Sequence, residues 1–153
     1  MIVIRYDGEP VPAGRPRFTR KGHAYDPGKS RKFKELLGWA ARSQYHEAPI
    51  TGKPLEVYIE AYRANQKNIS KVERRRRENK VSVPMTKPDV DNYVKSILDA
   101  LTGIIWEDDN LIQHVDARKY YADQPHVIIK VKEYKREFNY ARYEYERLAD
   151  NGK

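Results

Sequence analysis

The sequence predicts an α/β fold of the α+β kind: a small mixed β-sheet packed against two to three helices. Three observations predict it. Residues 54–63 alternate Leu55, Val57, Ile59 and Ala61 against Glu56, Tyr58, Glu60 and Tyr62, the pattern of a half-buried strand. Two stretches, one from Ser30 and one from about Asn92, carry apolar residues at i, i+3, i+4 and i+7. Two late runs, 111–121 and 126–134, read as strands joined by Ala122-Asp123-Gln124-Pro125.

Residues 2–6 (Ile-Val-Ile-Arg-Tyr) read as a first strand. Residues 7–30 contain Gly8, Pro10, Pro12, Gly14, Pro16, Gly22, Pro27 and Gly28, which predicts a long loop. Between Gly14 and Lys34 it carries Arg15, Arg17, Arg20, Lys21, Lys29, Arg31, Lys32 and Lys34 against Asp26 alone, a net of +7. With Phe18 and Tyr25 interleaved, that composition suits phosphate contact and base stacking better than a merely solvated loop. The helix from Ser30 buries Phe33, Leu36, Leu37, Ala40 and Ala41 and reaches Gln44.

Residues 64–86 form a second basic segment. Ser70 and Glu73 have capping-box spacing, followed by Arg74, Arg75, Arg76 and Arg77. No apolar stripe supports this stretch, so a mobile arm or a short exposed helix is expected, either a solvated charge run or a DNA clamp. The helix of about 92–102 buries Val94, Ile97, Leu98 and Leu101, with Asp89 or Asp91 as its cap and Gly103 at its C-terminal glycine position. Residues 107–110 read as a turn. A last helix is expected over about 136–149.

At 153 residues the chain fits one domain, 1–153. Hydrophobic residues are 39% and charged residues 34%, so the core is small or continues into a subunit interface, and a homodimer is expected. The 30 Lys+Arg against 22 Asp+Glu give +8, which favours a polyanionic partner such as nucleic acid. The absence of cysteine excludes disulfides, thiolate zinc sites and cysteine nucleophiles. No stretch approaches the roughly 18 apolar residues of a membrane span. The first residues lack a signal-peptide layout, so a cytoplasmic location and no membrane partner are expected.

Against this basic background, residues 88–116 hold seven carboxylates (Asp89, Asp91, Asp99, Glu107, Asp108, Asp109, Asp116) and one lysine, Lys95, a net of −6. Crowded carboxylates repel one another, and a hard divalent cation removes that cost. Asp89 and Asp91, two apart, point to one side in an extended segment. Lys95 lies one turn after Asp91 and Asp99 one turn further. Asp108 and Asp109 are expected to return near the helix start, giving one acidic pocket. For any single acid a cap, a helix ion pair or a polar turn is the ordinary reading. That reading weakens for the set, because a cap needs one acid.

The run Lys87-Pro88-Asp89-Val90-Asp91-Asn92-Tyr93-Val94-Lys95, then Asp99-Ala100-Leu101-Thr102-Gly103, then Trp106-Glu107-Asp108-Asp109-Asn110-Leu111-Ile112, resembles the RusA family of Holliday junction resolvases. Gly14-Arg15-Pro16-Arg17 and Lys119 also look like that family, although only the acidic segment is diagnostic. The resemblance implies a homodimeric, Mg²⁺-dependent endonuclease (Mn²⁺ the alternative) that resolves four-way DNA junctions by paired nicks in recombination and repair, a type common in phage genomes. It places the essential aspartates on Asp89, Asp91 and Asp109, with Asp108 as the competing third ligand, and the motif lysine on Lys95. Tyr93 stands where the family often has leucine, and stacking at the branch point by Phe18, Tyr25 or Tyr93 is the expectation for the aromatics. The DNA contacts expected are Arg15, Arg17, Arg20, Lys21, Lys29, Arg31, Arg74, Arg75, Arg76, Arg77, Lys87 and Lys119. Two rival readings use the same residues: a metal-dependent nuclease for other branched or single-stranded substrates, and a non-catalytic nucleic-acid-binding module.

Overall fold

A computed structural model describes residues 1–14, 17–18, 24–25, 28–135 and 147–149. The elements run β1 (Ile2–Asp7), β2 (Arg17–Phe18), β3 (Ala24–Tyr25), α1 (Gly28–Gln44), β4 (Leu55–Ala64), α2 (Lys71–Glu78), α3 (Val90–Leu101), a 3-10 turn (Asp109–Leu111), β5 (Ile112–Ala122) and β6 (His126–Glu133). The sheet order is β1-β6-β4-β5, so the mixed sheet and α+β class hold. β6 runs antiparallel to β1 and to β4, while β4 and β5 are parallel. Two parallel neighbours need a crossover, and α2 and α3 supply it.

The alternation in β4 decides which face is covered. Leu55, Val57, Ile59 and Ala61 are buried under the helices, while Glu56, Tyr58, Glu60 and Tyr62 stay half-exposed on the other face. Val127, Ile129 and Val131 of β6 and Ile4 of β1 join the buried face. Phe33, Leu37 and Ala41 of α1 and Ile97 and Leu101 of α3 close on them. On the open face the Tyr58 and Tyr62 phenols donate to Glu56 and Glu60. Burial, with the Glu60 hydrogen bond added, pushes the Tyr62 phenol well above its usual range, so it remains a donor.

Gly103, at φ +84°, takes the left-handed turn that ends α3, as glycine permits without cost. Trp106 then folds back into the core, fully buried, with its indole N–H donating to Thr102 Oγ1 at 3.0 Å. The chain is fixed there by Ile50, which donates to the Ile105 carbonyl and accepts from the Glu107 N–H. The expected helix over 136–149 lies outside the described residues except for 147–149, which are helical.

Of the two outcomes expected for this stretch, a mobile arm or a short exposed helix, the second holds: α2 is eight residues long and none of them is buried. Ser70 caps it by accepting from the Glu73 N–H at 3.1 Å. Glu73 does not complete a reciprocal capping box; its carboxylate accepts from Arg77 Nε at 3.0 Å and from Ser82 Oγ at 3.3 Å. Arg77 also donates to Asn65 Oδ1 and Gln66 Oε1 and lies 3.7 Å from the centroid of Tyr121 on β5. Counting apolar residues offered nothing to hold this helix in place. A guanidinium stacked on a ring and held by three acceptors anchors the helix without them.

Candidate active site

The N-terminal end of α3 gathers most of the diagnostic residues. Asp89 is its N-cap residue in position, yet its side chain makes no capping hydrogen bond. Asp91 follows in the first turn. Among the described residues neither carboxylate has a side-chain hydrogen bond or ion pair, so four hard oxygens stand unused and exposed at a positive helix end. The segment entering the helix is clamped from the sheet. Lys119 Nζ, on β5, donates to the Thr86 and Pro88 carbonyls at 3.2 and 3.1 Å. Arg63 Nη1, at the end of β4, donates to Thr86 Oγ1 at 3.3 Å and to the Lys87 carbonyl at 3.2 Å. Lys119 thereby ties the Thr86–Pro88 segment to the sheet. Arg63 was not among the residues expected at the site, and nothing in its sequence context singles it out.

The root of the basic loop docks on the same helix end. Ala13 N–H donates to the Asn92 carbonyl at 2.9 Å, and Gly14 N–H to Ser30 Oγ of α1 at 3.3 Å. Pro12, Ala13, Lys87, Pro88, Asp89 and Asn92 line a cleft of about 440 Å³. The cationic segment therefore departs from, and α1 begins beside, the acids. Arg15, Arg20 and Lys21 lie outside the described residues, and Arg17 is described only as part of the β2–β3 ladder. Lys29 and Arg31 stand exposed on the first turn of α1.

Lys95 is one turn beyond Asp91 and exposed; its ammonium is 3.5 Å from Asp99 Oδ2. Tyr93 points the other way. It is 3% exposed, in the core, and burial raises its phenol pKa, so stacking on DNA is excluded for it.

The second acid pair is elsewhere. Asp108 caps the 3-10 turn by accepting from the Asn110 N–H at 3.0 Å, and Asp109 opens that turn, exposed. The turn leads into Ile112, which pairs with Leu55 at the start of β4, whereas Lys119 and Arg63, beside Asp89, mark the far ends of β5 and β4. α3 spans twelve residues, a length of about 18 Å. Asp89 and Asp91 thus sit at one end of α3 and Asp108 and Asp109 near the other. The expectation that the chain returns them to one small pocket is corrected: a rigid helix and a parallel strand separate them. Among the described residues no group of three or more carboxylates or histidines converges closely enough to hold a metal ion.

Of the basic cluster on α2, Arg75 and Arg76 are exposed, Arg74 pairs with Asp123, and the Arg77 side chain is only 10% exposed. A smaller cleft of about 190 Å³ on the open sheet face, beside Glu60, Asp116, Arg118 and Lys130, includes none of the motif aspartates. No helix is long and apolar enough to cross a membrane among the described residues.

Comparison with known proteins matches residues 7–132 to the family model described as Endodeoxyribonuclease RusA. A protein of Bacillus subtilis (strain 168), called "Uncharacterized protein YqaN", is 39% identical over 131 residues, covering 82% of this chain and 92% of the relative. The matched span contains both acid pairs, Lys95, Lys119 and the four arginines of α2.

Proposed function

The chain belongs to the RusA endodeoxyribonuclease family, and from that premise we propose that it resolves four-way DNA junctions as a two-fold dimer, through paired, symmetric, Mg²⁺-dependent nicks. As a family member it is a hydrolase of phosphodiester bonds. The observation that carries the finer reading is the shared cleft. The root of the basic segment 14–34, net +7 with its last four cations on α1, lies against Asp89, whose carboxylate oxygens no described residue engages. Cations hold the strand, and the acids meet it where α3 begins.

Asp89 and Asp91 offer the hard oxygen donors that Mg²⁺ or Mn²⁺ prefers. They fit as one part of a metal site, and Asp109 is the further donor proposed, with Asp108 committed to capping its turn. When bound, a divalent cation supplies polarisation of the scissile phosphate and a lowered pKa for the attacking water. Lys95, on the same helix face, places a cation where negative charge builds on the phosphate. Lys119 and Arg63 hold the entry to α3 rigid, which keeps the aspartates in register with the strand.

The separation of the acids bears on the dimer. Ligands of one Mg²⁺ ion stand about 2 Å from it, and α3 alone is about 18 Å long. Three aspartates therefore complete one set when two copies meet, each bringing the start of its α3 to the other's Asp109. A four-way junction offers the matching two-fold symmetry.

The DNA-contact reading narrows on α2. Arg76→Gln is expected to weaken junction binding uniformly across sequences and to lower the salt slope by about 1, with the folded state unchanged. Arg77→Gln is expected to destabilise the protein by about 1–3 kcal/mol through lost hydrogen bonds and lost stacking on Tyr121. Urea titration beside salt-dependent binding checks both; equal salt slopes for the two variants would remove the distinction.

The test of function is cleavage of a synthetic four-way junction beside linear duplex of matched sequence, with Mg²⁺ and with EDTA. Paired nicks in the junction alone, lost in EDTA, support the proposal. Tight binding without scission under any divalent metal would move the reading to a non-catalytic binding module, and cutting of flaps or single strands instead would move it to another nuclease class.

A further inference from the structure

Trp39 is the one large aromatic side chain that α1 turns outward. It is 58% exposed, whereas the chain's other tryptophan, Trp106, is fully buried. α1 buries Ser30, Phe33, Leu37, Gly38 and Ala41, so Trp39 lies on the opposite stripe with Lys32 two turns before it and Arg42 one turn after. Both cations are exposed. Over α1 as a whole five cations face one acid. An exposed indole between two cations presents a flat aromatic face beside positive charge, the combination on which bases stack and phosphates rest.

Its surroundings are a groove rather than a flat face. α1 and α3 run side by side in the same direction, from the Gly14–Ser30 and Ala13–Asn92 contacts at their starts to Gly38 against Ala100 and Ile104. The close approach depends on Gly38, where a Cβ would meet Ile104 Cδ1 at 3.3 Å. The groove of about 340 Å³ that results carries Trp39 and Arg42 on one wall and Asp99 and Gly103 on the other. It continues the Asp91–Lys95–Asp99 line of α3, ending two turns, about 12 Å, from Asp91.

We propose that Trp39, flanked by Lys32 and Arg42, is a stacking platform for an unpaired or unstacked nucleobase of the DNA handled at the start of α3. The inference rests on the nuclease reading and adds a binding site to it. A base inside a duplex is already stacked on both faces, so an exposed indole gains most from a base freed at a branch point or in a single strand. The flanking cations suit the phosphates on either side of that base. Glu35, one turn before Trp39 on the same stripe, disfavours a phosphate directly there and leaves the ring as the contact.

The experiment uses the full chain in EDTA, so that no strand is cut, with a labelled four-way junction, matched duplex and single strand. Anisotropy of the label reports binding, and the change in tryptophan emission on adding DNA reports Trp39, because Trp106, sealed in the core, contributes a constant background. Emission is expected to be quenched by junction and single strand and little changed by duplex. Trp39→Ala is expected to weaken junction binding about tenfold, and Trp39→Phe to restore most of it. Binding with unmoved emission and an unaffected Trp39→Ala protein overturns the platform while leaving the nuclease reading intact. No binding of any DNA by the wild type overturns both. A change in sedimentation mass for Trp39→Ala, with DNA affinity retained, overturns it in favour of a contact between copies.

Discussion

Asp89→Asn and Asp91→Asn proteins are expected to bind a four-way junction at least as tightly as wild type and to cut it at least about a thousandfold more slowly, a barrier increase of about 4 kcal/mol. Both expectations follow from where the residues sit. Asparagine caps a helix as well as aspartate does, so Asp89→Asn leaves the start of α3 in place. Asp91 in the first turn loses a helix-dipole interaction of about 0.3–1 kcal/mol, too little to unfold the chain. On the proposed function each change also removes a negative charge from the place where phosphate would bind, which favours binding. A gel assay of cleavage beside a gel-shift titration separates the two effects. Full-rate cutting by either variant would remove that aspartate from the chemistry, and loss of binding in step with loss of cutting would make it a structural residue.

How much of this was legible in the sequence differs by element. The alternation of β4 was readable because one face is buried and period two is then enforced. α3 was readable because Ile97 and Leu101 lie on one face and Gly103 stops the helix with a positive φ. The acidic motif was readable as a local string, and its first half forms one place in the fold. Its second half does not join it, because local spacing says nothing of where a crossover helix ends. That depends on the parallel pairing of β4 with β5, a contact between residues about 57 positions apart. Arg77 and Arg63 were illegible for a related reason. In a run of cations, what separates a buried stacking arginine from an exposed one is the partner, Tyr121 or the Thr86–Lys87 backbone, supplied from distant sequence. Tyr93 shows the opposite error: an aromatic beside an acidic motif suggested DNA, while helical periodicity put it in the core.

The separation of the two acid pairs yields the sharpest test of how a site is completed. Asp91→Asn and Asp109→Asn chains, each expected to be inactive alone, are to be co-expressed and the proposed dimers that mix them isolated by two tags. If the set forms across two copies, a mixed dimer keeps one intact combination. The Asp109→Asn chain supplies Asp89 and Asp91, and the Asp91→Asn chain supplies Asp109. The other combination carries both defects. Mixed dimers are then expected to cut one strand of a junction at about half the wild-type total rate, giving single nicks instead of symmetric pairs. If each chain assembled its own set, no mixed dimer would contain an undamaged one, and the mixture would stay as inactive as its parents. The intrachain alternative would require the start of β5 to travel the length of α3, although β5 is held to β4 from Ile112–Leu55 to Ala122–Ala64. Such a movement breaks the parallel ladder that fixes Lys119 beneath Pro88, and with it the support for Asp89.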